Sequence, residues 1–105
     1  MIEIEFEKSS GNVFADLGLP DADEMLIKSK LVAKIAEIIE ARGWTQTHAA
    51  HVIGLPQPKL SKMLNGQFRG ISQAKMLECL TRLGRNIQIV IGPETDVGCV
   101  DVVFA

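Results

Sequence analysis

The chain is poor in the residues that carry most catalytic and metal chemistry. It has 105 residues, with two cysteines, one tryptophan and no tyrosine. Cys79 and Cys99 are too few and too far apart for a zinc site built from CxxC pairs, and a cytosolic chain would keep them reduced. We predict that both are small buried hydrophobic side chains. The sequence contains no glycine-rich phosphate loop, no carboxylate pair in a plausible cleft and no nucleophile beside a base, so we expect no enzyme, metal or cofactor.

Long hydrophobic runs are also absent. No apolar stretch approaches the roughly 20 residues that span a bilayer, and the N-terminus lacks the basic, apolar and small-residue regions of a signal peptide. We therefore expect a cytoplasmic protein with no membrane partner. A chain of 105 residues with 47% hydrophobic content has room for a single domain, which we take as residues 1–105. A domain of this size often gains stability by dimerising.

Acidic residues are missing from the middle of the chain. The formal net charge is −2 and the pI is about 5.6, which alone argues against a nucleic-acid partner. However, residues 41–77 contain five basic residues and no Asp or Glu, whereas residues 1–40 carry a net charge of −5. A surface that meets phosphates requires such a carboxylate-free region, because cations attract the backbone and carboxylates are repelled by it. A chance gap in acidic residues is the alternative explanation.

The middle of the chain, residues 44–66, reads WTQTHAAHVIGLPQPKLSKMLNG. Its small and apolar residues recur at the spacing expected for two short helices with one buried face each. Gly54 can take the left-handed conformation that ends the first helix. Ala50 is small enough for two helices that cross through a short turn to approach closely. The pattern predicts helices at residues 45–53 and 57–64, with these side chains buried: Ala49, Ala50, Ile53, Leu55, Leu60 and Met63.

Two further helices are predicted around this pair. Asp21 and Glu24 resemble a capping box that begins a helix ending at Gly43. Ser72 is predicted to cap a fourth helix that ends near Gly84. Residues 21–84 therefore form a helical core.

Strands are predicted at both ends of the chain. Residues 1–7 alternate isoleucine or phenylalanine with glutamate, which is typical of an edge strand, and an ordered arm follows to residue 20. Residues 86–91 and 99–104 are β-branched runs that predict a β-hairpin within an extension at residues 85–105, which the N-terminal strand can join. We expect strand 86–91 to pair with its counterpart in a second chain, because an exposed apolar edge is otherwise an aggregation hazard.

The helical pair resembles the Xre-type family of Cro and phage repressors, which bind DNA through a helix-turn-helix. The matching positions are Thr45, Gln46, Ala50, Gly54, Leu55, Leu60, Ser61, Asn65 and Gly66. The resemblance implies a mainly α, lambda-repressor-like domain of four to five helices, here with the β extension. More narrowly, residues 9–24 and 85–92 are similar to the HigA-type antitoxins. Those proteins neutralise a RelE-like toxin that cleaves mRNA on the ribosome and repress their own operon.

Two prolines depart from the family motif. Pro56 replaces the Ser or Thr that usually caps the second motif helix, so a side-chain cap is lost. Pro58 follows Gln57 at a position where phage repressors often carry a polar side chain, so one hydrogen bond to a base is lost. Proline is tolerated in a first helical turn, and the helix is therefore expected to survive.

The second motif helix of this family lies in the major groove. By match to the family's positions, Gln57 and Lys62 are the expected base readers, with Lys59 and Ser61 beside them. The residues expected to contact phosphates are Gln46, Asn65, Gln67, Arg69 and, more weakly, Arg42. Trp44 is predicted to be core, and His48 and His51 are predicted to be surface residues rather than metal ligands.

The function that follows is a sequence-specific repressor, binding operator DNA as a homodimer. The HigA resemblance adds a RelE-like or HigB-like toxin as a partner, for which the acidic N-terminal third is the expected surface. One alternative is a stand-alone or phage-derived regulator without a toxin. Another is a helical interaction module that has lost DNA binding, an alternative favoured by the acidic pI and by Pro56 and Pro58.

Overall fold

The computed structural model describes residues 22–105. The predicted strand at residues 1–7, the arm up to residue 20 and the Asp21 part of the capping box lie outside the described residues. Short turns connect the helices of the described part, which are α1 (Ala22–Ala41), α2 (Gln46–Ile53), α3 (Gln57–Leu64) and α4 (Gln73–Arg82). Helix α1 packs against α3 and α4, and α2 packs against α3 and α4.

Helix α1 buries one face along its whole length because its apolar residues recur at spacings of three and four. It ends where predicted. The Gly43 N–H donates to the Glu40 carbonyl at 3.0 Å, and Gly43 has a left-handed φ of 66°. The buried hydrophobic residues of α1 are Met25, Ile27, Leu31, Val32, Ile35, Ile38 and Ile39.

Helix α2 begins and ends as its sequence predicts. The Thr45 hydroxyl accepts a hydrogen bond from the His48 amide at 3.1 Å, which satisfies one of the first-turn donors. At the other end Gly54 takes a φ of 76°, and its N–H donates to the Ala50 carbonyl at 2.9 Å. All six side chains predicted to be buried in the motif are at most 7% exposed.

Helix α3 forms without a side-chain cap, as Pro56 predicts. The cost is small, because Pro58 has no N–H to satisfy and the amides of Lys59 and Leu60 both donate to the Pro56 carbonyl at 3.0 Å. The two prolines therefore fix the start of the helix instead of preventing it.

Helix α4 closes the core over the helical pair. Ser72 caps it as predicted, with its hydroxyl accepting from the Lys75 amide at 3.0 Å. Met76, Cys79 and Leu80 are buried. Burial raises the pKa of the Cys79 thiol, which keeps it protonated. The prediction that Cys99 is also buried was wrong, because Cys99 is exposed in a segment that no helix covers.

The predicted C-terminal β-hairpin is absent, since residues 22–105 contain no strand. An isolated two-stranded ribbon is marginal without a surface to rest on, and here the end of the chain returns to α1 instead. Lys30 Nζ donates to Asp101 Oδ1 at 2.8 Å, and Lys34 Nζ lies 4.8 Å from the centre of the Phe104 ring. Val102, between them, packs partly buried against the core.

Asp101 is the polar anchor of this returning segment. Partial burial opposes its ionisation, but the hydrogen bonds from Lys30 and from the Val102 amide, together with the Lys30 charge, lower the pKa of Asp101 below its ordinary value. The carboxylate therefore stays ionised and paired at neutral pH.

The segment between α4 and Asp101 leaves its apolar side chains in solvent. Ile89 and Val90 are each 80% exposed and Ile91 is 88% exposed. We define residues 86–91 as the apolar arm. None of the helices in the described part of the chain is long and apolar enough to cross a membrane.

Ala50 is 4% exposed and belongs to the buried cluster through which α2 packs against α3 and α4. We expect Ala50→Leu to lower the free energy of unfolding by about 1 to 3 kcal/mol, because over-packing forces neighbouring groups apart. Urea unfolding followed by circular dichroism measures this loss. Ala33→Leu on the exposed side of α1 is the matched control and should change stability by less than about 0.5 kcal/mol. Equal effects of the two substitutions would contradict the tight-packing argument.

Candidate nucleic-acid interface

The rotation of α3 is fixed by side chains that face the core. Leu60 and Met63 are both 0% exposed, so the opposite side of the helix must face outward. Gln57, Lys59 and Lys62 are exposed, and Ser61 is half-buried. The four residues predicted to read bases therefore all lie on α3 with at least part of the side chain accessible.

Gln46 and Gln57 connect the start of α2 to the start of α3. The Gln57 side-chain amide donates to the Gln46 side-chain oxygen at 3.3 Å. Both side chains are exposed, so the contact holds them side by side on the surface. The first amides of α2, including that of Gln46, have no partner within a helix and carry the positive end of the helix dipole. The Gln57 side chain is thus held next to the start of α2, where the free backbone amides favour an anion.

The charges on α3 differ from those elsewhere in the molecule. The lysines of α1 and α4 have carboxylate partners, as in Lys34 with Glu37 at 3.0 Å and Lys75 with Glu78 at 3.5 Å. Among residues 22–105, by contrast, no carboxylate pairs with Lys59 or Lys62. No carboxylate of the described residues therefore offsets these two ammonium groups, which are available to an external anion.

The chain turns sharply after α3. Gly66 has a φ of 93°, and the Gln67 N–H donates back to the Lys62 carbonyl at 2.8 Å. Asn65 and Gln67 are exposed on this turn, next to the end of α3, where they were predicted to contact phosphates.

Arg69 is exposed on the loop that follows, and buried neighbours hold this loop in place. Phe68 and Ile71 are buried on either side of it. Between them, the Arg69 carbonyl accepts a hydrogen bond from Lys28 Nζ at 2.9 Å. Lys28 was missed as a site residue, although its spacing from Met25, Leu31 and Ile35 places it on the core face of α1.

Arg42 is placed apart from the other predicted phosphate contacts. Its guanidinium donates to the Leu83 carbonyl at 2.7 Å, at the end of α4, and lies 4.9 Å from the centre of the Trp44 ring. These contacts stabilise the helix end and cover the indole. Trp44 is partly buried against the core, as predicted.

His48 and His51 are exposed, as predicted. The His48 ring meets the Trp44 ring edge-on, with 4.7 Å between their centres. No group of three or more metal-ligating side chains occurs in the described range of residues 22–105.

Two short helices joined at Gly54, with a carboxylate-free polar surface on the second, define a helix-turn-helix unit. Residues 13–92, more than half of the chain, match the family model described as "Helix-turn-helix domain", and the chain belongs to that family.

A solved structure gives the same result at the level of the fold. It is described as a candidate XRE-family transcriptional regulator, and it matches this chain with a TM-score of 0.76 and 29% sequence identity. The match covers 82% of this chain and 100% of the other. The resemblance to Xre-type helix-turn-helix proteins is thus confirmed. Among curated proteins none matches the chain.

Proposed function

We propose that this protein is a sequence-specific DNA-binding repressor of transcription. The observation that carries the proposal is the outward surface of α3, where Lys59 and Lys62 stand without carboxylate partners in the described residues, beside the Gln46 and Gln57 pair. We define this surface as the reading face. In helix-turn-helix proteins the second motif helix enters the major groove, where an amide can pair with adenine and an ammonium with guanine. The similar solved structure, described as a candidate transcriptional regulator, supports the same function.

Contacts on either side of the reading face are proposed to set its position on the duplex. Asn65, Gln67 and Arg69 follow α3 and would contact the phosphate backbone, while the amides at the start of α2 would bind a phosphate together with Gln46. Arg42 is the weakest member of this set, because its guanidinium already bonds the Leu83 carbonyl.

The two kinds of contact can be separated by substitution. We expect Lys62→Ala to weaken binding to a duplex selected from a random pool by about 1 to 3 kcal/mol and to relax its base preference. Arg69→Ala should weaken selected and random duplexes alike and lower the slope of log affinity against log salt by about 1. Fluorescence anisotropy over a salt series measures both quantities.

The matched control for that experiment is Lys75→Ala, which removes the same charge from a lysine that is paired with Glu78 on α4. It should bind both duplexes as the unaltered protein does. Equal losses on selected and random duplexes for Lys62→Ala would mean that Lys62 does not read a base. If the unaltered protein binds no duplex even in dilute salt, the proposed function is wrong.

We propose further that the repressor is a two-fold dimer joined through the apolar arm. Two reading faces would then bind half-sites roughly 34 to 36 Å apart, one turn of the duplex. The support is the exposure of Ile89, Val90 and Ile91, since burying each such side chain contributes about 1.5 to 3 kcal/mol. An extended β-branched segment gains most by pairing with an identical one, because the backbone groups and the side chains are then satisfied together.

Charge placed on the arm tests this interface. We expect Ile89→Lys combined with Ile91→Lys to convert the dimer to a monomer in analytical ultracentrifugation, with the helical circular dichroism signal unchanged because both side chains are exposed. Thr95→Lys, in the same extension, should leave the dimer intact. The substitutions are sharper than removal of residues 85–105, which also removes the contacts of Asp101 and Val102 with the rest of the fold. An unchanged dimer in the arm variant would rule out this interface.

The antitoxin function is the narrower proposal, with a stand-alone or phage-derived regulator as the alternative. It is supported by the similarity of residues 9–24 and 85–92 to HigA-type antitoxins and by the net charge of −5 in residues 1–40. Opposite charge favours encounter with a basic toxin. No observation on the described residues favours the interaction module without DNA binding.

Co-expression distinguishes the antitoxin from the stand-alone regulator. We expect the neighbouring reading frame to encode a short, basic, RelE-like protein that co-purifies with this chain. High salt should release that protein from the complex, because the contact is electrostatic. Replacing Glu3, Glu5 and Glu7 with glutamine should weaken that complex and leave DNA binding unchanged. A neighbouring product of another class, or one that does not bind, would favour the stand-alone regulator.

A further inference from the structure

Lys28 is a buried cation on the core face of α1. The residue is 4% exposed, in a position of α1 that its spacing assigns to the core face. Its Nζ atom donates to the Arg69 carbonyl at 2.9 Å and lies 3.4 Å from Glu24 Oε2. Glu24 is about half exposed, so the ion pair reaches from the interior to the surface.

Packing alone does not account for a lysine at this position. Burying an ammonium group costs free energy, and its hydrogen bonds and ion pair do no more than offset that cost. A hydrophobic residue of similar volume at such a position often gives equal or higher stability. Methionine would fill the same space without a charge to desolvate. The lysine is therefore best explained by what its hydrogen bond holds in place.

The hydrogen bond holds the middle of the loop that follows α3. Phe68 and Ile71 are buried and anchor the loop at two points, and the Ile71 N–H donates to the Phe68 carbonyl at 3.0 Å. Arg69 lies between these anchors, with an exposed side chain and a carbonyl that points inward to Lys28 Nζ. The direction of that carbonyl sets the rotation of the peptide units around Arg69, and so it sets the direction in which the Arg69 side chain leaves the loop.

We infer that Lys28 is a positioning residue for DNA binding, which fixes the loop carrying Arg69 in the orientation that meets a phosphate. The inference rests on the proposed function. Lys28 is buried and cannot reach the duplex itself, so it would act on DNA binding through the contact between Arg69 and a phosphate. Such an effect differs from general stabilisation because it must disappear when Arg69 is absent.

The test is a double-mutant cycle measured on DNA. Lys28→Met, Arg69→Ala and the double variant are compared with the unaltered protein on a duplex selected from a random pool and on a random duplex of equal length, over a salt series. We expect Lys28→Met to weaken both duplexes about 10-fold, the order expected for loss of one charge-assisted hydrogen bond. We also expect the slope against log salt to fall by about 0.9, as for one lost phosphate contact. The double variant should bind no more weakly than Arg69→Ala alone.

Lys75→Met is the matched control. Lys75 is paired with Glu78 on α4, so its replacement changes the net charge equally and leaves the hydrogen bond between Lys28 and the Arg69 carbonyl in place. It should leave affinity and salt slope unchanged. If Lys28→Met and Lys75→Met weaken binding equally, the effect is one of net charge and the inference is wrong. If the losses from Lys28→Met and Arg69→Ala multiply in the double variant, Lys28 acts elsewhere and the inference is also wrong.

Folding of the variants is followed by circular dichroism. If Lys28→Met loses its helical signal, Lys28→Gln replaces it in the cycle, because glutamine keeps a polar group but is too short to reach the Arg69 carbonyl. If both variants unfold, Lys28 is required for the fold as a whole and the positioning role is refuted. DNA binding by the unaltered protein is the separate test of the proposed function, so the two failures are distinguishable.

Discussion

The close packing of α2 against α3 is the constraint on which the rest of the structure depends. Ala49, Ala50 and Ile53 of α2 belong to the same buried cluster as Leu60 and Met63 of α3, and none of these side chains is more than 4% exposed. This contact fixes the crossing of the two helices, and the crossing requires a reversal of the chain at Gly54, whose φ of 76° favours glycine. Because the inner side chains admit only one rotation of α3, the polar side of that helix faces outward as a set. Helices α1 and α4 complete the apolar enclosure around the pair.

The distribution of charge follows from the same arrangement. Cations outside the motif are mostly neutralised nearby, as the pairing of Lys30 with Asp101 and of Arg82 with Glu78 shows. The outward side of α3 lacks such compensation within the described residues. An acidic protein can therefore carry a locally positive surface, because what a phosphate experiences at short range is the nearby field rather than the total charge.

The helices and their ends were predictable from the sequence because the signals are local. Thr45 and Ser72 act as caps, and the apolar spacing assigns the inner faces of the helices. The base-reading roles of Gln57, Lys59, Ser61 and Lys62 stay a prediction. The loop held by Phe68, Ile71 and Lys28 was not anticipated, because the Lys28 hydrogen bond to the Arg69 carbonyl joins residues that are 41 positions apart in the chain. The hairpin was predicted wrongly for a related reason. β-branched composition favours a strand, but a strand exists only where a pairing partner exists, and Lys30 and Lys34 hold the end of the chain on α1 instead.

The two prolines at the start of α3 have a consequence for the energetics of recognition. Pro56 and Pro58 restrict the backbone on either side of Gln57, and the Pro56 carbonyl holds the next two amides. The first turn of α3 is therefore rigid before it meets any partner. A rigid end loses little conformational entropy on association. The two prolines remove a side-chain cap and a backbone N–H from this end of the helix, but they also preorganise the polar groups that remain there.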